Sequence, residues 1–377
     1  MIPASQIGRL RNALPFWLSL GLLPLLGLAA YYGNWALFLP PLGTWWIYSV
    51  LDQIFGLQEE NPDPQTEDDQ LFWYRLITIV WFPLQCVAIF GTMFYAVQAE
   101  HLAWWEKTWL FLDVGVLSGT VGIVYSHELM HQKNRLERWL ADLLLATVLY
   151  SHFRSEHLQV HHIYVATPRD AVSARYNETF YKFLLRVLPE CLISAWKAEK
   201  ALLARRGKTM WDRANPFWRY GALQLFFVAI AIAIGGWQGL LLFVVQAMSA
   251  VFQLEPTHYI EHYGLTRKYL GDGKYERVMP RHSWNAAHKA SNWLLINLQR
   301  HSDHHYKPSR RFPLLQTYSE TEAPQLPFGY PLMTLAACVP PLWVRMMNPR
   351  VREWRLRFYP EITDWAPYRD GQHPAPA

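Results

Sequence analysis

Six apolar stretches, near residues 13–32, 34–54, 72–97, 104–126, 217–234 and 237–257, constrain this chain more than any other feature. A bilayer core about 30 Å thick takes roughly 20 mostly apolar helical residues to cross. In lipid only helices and closed barrels satisfy their own backbone groups. The stretches therefore predict an all-α integral membrane protein with six transmembrane helices. Tyr31, Tyr32, Trp35, Trp104, Trp105, Trp218 and Tyr220 crowd their ends, where amphipathic rings sit at headgroup level. A cleaved secretory signal competes for the first stretch, since Arg9 and Arg11 precede an apolar run ending in Leu28, Ala29 and Ala30. Five further spans make retention the simpler reading.

Mean hydropathy is nevertheless −0.03, so a large polar part must balance the spans. Six spans put the N-terminus, residues 55–71, 127–216 and everything after 257 on one side. The link 98–103 on the other side has no Lys or Arg, whereas 127–216 carries fourteen. The positive-inside rule then places the large segments in the cytoplasm, and the protein in a bacterial inner membrane. The expected organisation is a single domain, residues 1–370, with a cytoplasmic helical cap built from 127–216 and 258–365. Residues 136–151 are too short for a full crossing and are expected on the membrane face. The end, 371–377, reads G-Q-H-P-A-P-A, a flexible tail or the start of a linker. The formal charge of +5 is assigned to anionic lipid and protein partners, with no nucleic acid expected.

Four windows hold the chemistry: His127 to His131, His157 to His162, His258 to His262 and His301 to His305. These 21 residues contain ten of the 15 histidines, where even scatter would leave one. Residues at i, i+3 and i+4 share a helix face, so His127/His131, His157/His161 and His301/His304/His305 can each converge on a metal, with His162 turned far enough away to reach a second ion. Imidazole suits Fe, Zn, Cu and Ni alike, but nine or ten imidazoles exceed what one ion accepts. Two metals are implied. His127-Glu128-x-x-His131 alone matches the zinc-protease signature with Glu128 as base, yet such a site needs only one more ligand. A bis-histidine haem protein would need facing histidines within the spans, and these lie at span ends. The three cysteines, Cys86, Cys191 and Cys338, form no C-x-x-C pair, which excludes an internal rubredoxin-type iron or zinc ribbon.

At these residues the sequence resembles the membrane alkane 1-monooxygenase family, within the membrane fatty-acid desaturase and hydroxylase superfamily. The three histidine boxes match His127 to His131, His157 to His162 and His301 to His305. The segments Tyr259-Ile260-Glu261-His262-Tyr263-Gly264-Leu265 and Leu298-Gln299-Arg300-His301-Ser302-Asp303-His304-His305 resemble the alkane branch in particular. The likeness runs roughly from residue 15 to 350. It implies a di-iron centre on His127, His131, His157, His161, His162, His262, His301, His304 and His305, with zinc able to substitute in purified protein. It also implies terminal hydroxylation of medium-chain n-alkanes to primary alcohols with O2 and two electrons from rubredoxin, separate or fused after residue 377, itself reduced by an NAD(P)H-dependent reductase. A hydroxylase or desaturase of fatty-acyl or alkyl-aromatic substrates is the rival within the superfamily.

The sequence departs from the family at His258, where Asn is usual, at Gln132 for a Lys, and at Val160 for a Gly. Glu128, Glu156, Glu261 and Asp303 adjoin ligands and are candidates to orient imidazoles through their second nitrogens. His258, His288, His152 and His282 are further candidates around the site; His101 and His373 are bystanders. Alkanes enter from lipid, so an apolar tunnel touching Trp45 and Trp46 is expected. Arg135, Arg138, Arg205, Arg206, Lys208, Arg310 and Arg311 form the expected basic docking face for an acidic electron donor.

Overall fold

The apolar stretches become helices that hydrogen-bond their own backbone in the computed structural model, which describes residues 4–369. The chain opens with α1 (Gly8–Tyr32), turns at Gly33 and Asn34, and continues in α2 (residues 39–55). α3 (Asp68–Gln98) and α4 (Trp104–Met130) follow, joined by a short link. Next come α5 (Arg135–Thr147), α6 (residues 153–164), α7 (Phe180–Arg205) and α8 (Pro216–His262). Of these α1, α3, α4 and α8 are long and apolar enough to cross a membrane. α2 is shorter.

The expected fifth and sixth stretches form one element, α8, folded back on itself at Gly236 (φ 59°, ψ −138°). Phe90 of α3 stacks on both Phe227 and Phe243, each at 5.9 Å between centroids. A straight helix would hold those two rings about 24 Å apart, so the two limbs of α8 lie side by side against α3. The left-handed φ at the turn is one that glycine adopts without cost.

Small residues let α4 and α8 approach. A Cβ on Gly115 would stand 2.3 Å from Ser249 Cβ, and one on Gly119 would stand 2.6 Å from the Ala250 carbonyl. This is the small-x-x-x-small seam of membrane helices. A buried polar chain ties the bundle across it. Trp81 Nε1 donates to Gln85 Oε1 (2.8 Å), Gln85 Nε2 to Thr147 Oγ1 (2.8 Å) and Gln246 Nε2 to the Thr147 carbonyl (2.7 Å). These bonds join α3, α5 and α8, and Gly122 of α4, one turn before the first histidine box, lies directly against Gln85.

α5 supplies a helix where residues 136–151 were expected to form one, but it ends at Thr147 and buries most of its length. Asn134 caps it, its Oδ1 accepting from Leu136 N–H. Leu140, Leu144 and Leu145 face inward while Leu136 and Trp139 are exposed.

The chain then adds α9 (Lys289–Leu294), α10 (His301–Tyr306), α11 (Tyr330–Ala337) and α12 (Pro340–Phe358). A two-stranded antiparallel ribbon, β1 (Tyr269–Gly271) with β2 (Lys274–Tyr275), precedes them. Residues 58–62 strap the start of α10 and the loop that follows it. The buried Arg300 donates to the carbonyls of Gln58 (3.2 Å), Glu60 (3.1 Å) and Leu315 (2.6 Å). The tail 371–377, with His373, lies outside the described residues.

Candidate metal centre

All nine imidazoles expected at the site converge, in two clusters. His127, His131, His157, His162 and His304 form one; His161, His262, His301 and His305 form the other; within each, one ring nitrogen per residue lies within 4.8 Å of the rest. α4 delivers His127 and, just past its end, His131. α6 delivers His157, His161 and His162, the last turn of α8 delivers His262, and α10 delivers the remainder.

The partition differs from what i, i+4 spacing predicts. Residues His157–His161 form a π turn, whose i→i+5 bonding widens the helix. The extra residue per turn brings His162 back beside His157 (Nε2 to Nε2 2.9 Å) and sends His161 to the other cluster, beside His305 (3.2 Å). α10 straddles the two clusters, with His304 in one and His301 and His305 in the other.

The donor set fits metal ions. Two nitrogens about 2.0–2.1 Å from one ion stand about 2.8–3.0 Å apart at a right angle and about 3.3–3.4 Å apart at the tetrahedral angle. The observed Nε2 to Nε2 separations are 3.0 Å for His131 and His157, 3.1 Å for His162 and His304, 3.1 Å for His262 and His301, and 3.0 Å for His301 and His305. Burial, and then the mutual repulsion of the rings, holds His157, His162, His301, His304 and His305 well below the ordinary imidazole pKa. His131 is brought down to about 3. These rings are neutral at physiological pH, with lone pairs free for coordination.

The carboxylates sort differently from expectation. Asp170, which sequence reasoning missed, sits buried with Oδ2 3.0 Å from His161 Nδ1. The same oxygen accepts from Ser173 Oγ (2.7 Å), and Oδ1 accepts from Val172 N–H (3.1 Å). Its one signal in the sequence is a proline-containing turn, Thr167-Pro168-Arg169-Asp170, just beyond the second box. Glu261 Oε1 lies 3.3 Å from His301 Nδ1, off the line of a hydrogen bond.

The other three do not orient an imidazole. Glu128 accepts from Gln132 Nε2 (2.9 Å). Asp303 holds the following loop through Arg310 Nη1 (2.5 Å), Gln316 N–H (3.0 Å) and Tyr318 Oη (2.8 Å). Glu156 is buried with neither oxygen bonded among the described residues. Consecutive helical side chains diverge by about 100°, so a carboxylate next to a ligand in sequence faces elsewhere in space.

The remaining histidines stand apart from both clusters. His258 approaches Glu255 (Nδ1 to Oε2 3.2 Å). His282 bonds Tyr359 Oη (2.7 Å) and Glu276 (3.2 Å). His288 precedes α9, near Asp52, and His152 packs on Tyr150.

A cavity of about 20 Å³ touches His127, His157, His161 and His301 and is otherwise walled mainly by Ile123, Val124, Phe153, Leu254 and Leu298. A second, of about 30 Å³, lies between α2, α4, α8 and α11 and shares Val124, Leu254, Thr257 and Leu298 with the first. It reaches Trp45, whereas Trp46 is 56% exposed. Each has room for a water-sized group. An alkyl chain passes between them only when the shared side chains part.

Three members of the expected basic docking face are not free, Lys208 being paired with Asp212 (3.0 Å) on the surface. Arg311 is buried between Asp68 (2.7 Å) and Glu137 (3.2 Å), and Arg310 is engaged by Asp303. Arg135, Arg205, Arg206 and Lys208 remain exposed.

Comparison with known proteins supplies an independent reading. The fatty acid desaturase family model matches residues 103–336. Alkane 1-monooxygenase 2 of Alcanivorax borkumensis is 37% identical over 359 residues, 90% of this chain and 90% of that protein. Alkane 1-monooxygenase 2 of Pseudomonas aeruginosa is 35% identical over 361 residues, 88% and 95% of the two chains. The alkane 1-monooxygenase of Acinetobacter baylyi is 39% identical over 311 residues, 81% and 75% respectively.

Proposed function

The chain belongs to the alkane 1-monooxygenase family, and on that premise we propose that it hydroxylates the terminal carbon of medium-chain n-alkanes at two iron ions held by the nine clustered imidazoles. The carrying observation is the pair of imidazole clusters opening on an apolar cavity. Alkane, O2, two electrons and two protons yield primary alcohol and water. Iron bound there supplies the reduction of O2 and the cleavage of the C–H bond.

The protein's own contribution is positional. Burial presets five imidazoles in one cluster and four in the other, and Asp170 fixes the ring of His161 with Nε2 inward. Val124, Phe153, Leu254 and Leu298 exclude water from the reacting carbon. The second cavity supports entry from lipid, where an alkane gains about 0.8 kcal/mol per CH2.

The electrons come from outside, since the three cysteines form no C-x-x-C pair. Rubredoxin, reduced by an NAD(P)H-dependent reductase, is the donor, and it meets Arg135, Arg205, Arg206 and Lys208 on the cytoplasmic side. Six crossings of the inner membrane, two of them the limbs of α8, carry one oxygenase domain whose cap spans 127–216 and 258–365. This topology is supported by the charge of the 127–216 segment.

The test is metal content and product. Purified protein loaded with iron should hold two metals per chain and, with rubredoxin, reductase, octane and 18O2, should release labelled 1-octanol. One metal per chain, or metals bound by fewer than seven histidines, overturns the centre. Xylene or a fatty acid consumed in preference to octane and dodecane overturns the substrate. Zinc-loaded protein should bind two ions and form no product, because imidazole suits zinc but zinc has no redox chemistry.

A further inference from the structure

Nine of the ten histidines in the four windows enter the clusters, and His258 does not. It sits one helical turn before His262, buried, its ring 5.5 Å from Phe153 and 6.2 Å from His161 between centroids. Nδ1 lies 3.2 Å from Glu255 Oε2, and Glu255 Oε1 accepts from Tyr150 Oη at 3.0 Å. A carboxylate at Nδ1 puts the ring proton there, because the carboxylate only accepts. Nε2 therefore carries the lone pair. The ring's one hydrogen bond among the described residues is through Nδ1, and the ring lines the cavity that touches His157 and His301.

A hydrocarbon has nothing to offer that acceptor. A primary alcohol has an O–H, and it arises in this cavity. We propose that His258 is the hydroxyl-binding group of the active-site cavity: its Nε2 accepts a hydrogen bond from a primary alcohol whose alkyl chain occupies the apolar walls. Medium-chain 1-alkanols, the products, are then ligands of the site in their own right, held by one polar contact at the end that has reacted. A buried hydrogen bond of this kind corresponds to about tenfold in affinity. The assignment rests on the alkane-hydroxylating reading of the cavity.

The experiment is a binding measurement that needs no turnover. Purified protein without reductant is melted in the presence of 1-octanol or of heptyl methyl ether, which has the same number of heavy atoms and no O–H. Wild type should bind the alcohol about tenfold more tightly than the ether. His258→Phe, which keeps a ring against Phe153 and removes Nε2, should abolish that preference. His258→Gln, whose amide reaches as far as Nε2, should restore part of it. If the single Phe variant fails to fold because Glu255 loses its partner, the double variant with Glu255→Gln is used. Equal binding of the two ligands by wild type, or an undiminished preference in the Phe variant, overturns the proposal. Failure of the reconstituted enzyme to hydroxylate octane overturns the reading of the reaction alone, because the alcohol preference is measured without it.

Discussion

Replacing Asp170 by Asn tests the division of the centre into two clusters. The carboxylate touches His161 alone among the nine imidazoles, so the perturbation enters one cluster. Asn can keep its oxygen on the Val172 N–H. Its NH2 then faces His161 Nδ1, and two N–H groups cannot share that contact. The ring is driven to the tautomer that carries its proton on Nε2, which removes the lone pair from the cluster. Loss of such an outer partner costs about 10–100-fold in metal affinity, or about 1.4–2.7 kcal/mol.

Stripped protein titrated with Zn2+ against a chromophoric chelator should show two sites in the wild type. In Asp170→Asn one site should keep its affinity and the other should weaken by one to two decades. 57Fe Mössbauer spectra of iron-loaded protein should show one doublet depleted. Two sites at wild-type affinity, or equal weakening of both, would refute the reasoning.

Three further outcomes are expected. Gly115→Val forces α4 away from α8, because a Cβ would stand 2.4 Å from the Gln246 carbonyl; overpacking of this kind costs about 1–3 kcal/mol, and the melting temperature in detergent should fall by several degrees while Gly27→Ala, with nothing within 4 Å, leaves it unchanged. Arg311→Met should destabilise the fold before it affects donor binding, since the side chain is enclosed by Asp68 and Glu137. Removing metal by chelation should lower the melting temperature, and metal at 100 times its Kd should restore about 2.7 kcal/mol.

Eight of the nine clustered imidazoles were legible because spacing on a helix restricts which side chains can meet, and the ninth, His262, came from the resemblance. Their sorting into two clusters was not. It depends on a π turn at His157–His161, a matter of backbone hydrogen bonds that i, i+4 arithmetic does not contain. Asp170 was hidden for a related reason, since it acts from an irregular turn with no period to reveal it. Glu128 and Asp303 drew attention through adjacency, which on a helix means divergence. Arg310 and Arg311 looked like surface charge because composition carries no burial. The fold at Gly236 was readable as the break between two apolar stretches, and Gly235-Gly236 was its signal.

Residues from both ends of the site meet in each cluster, which sets an order of events during synthesis. His162 is made 139 residues before His301. At about 5–20 residues per second the ribosome takes roughly 7–28 s to cover that distance. Through that interval His127, His131, His157 and His162 exist without His304, a four-imidazole set of the kind that zinc accepts. Arg300 cannot close the strap on Gln58 and Glu60 until the third box has emerged. Both clusters are consequently complete only once the third box has emerged, and, on the proposed iron reading, a nascent chain in a zinc-rich cell meets the competing ion while its donor set is still incomplete.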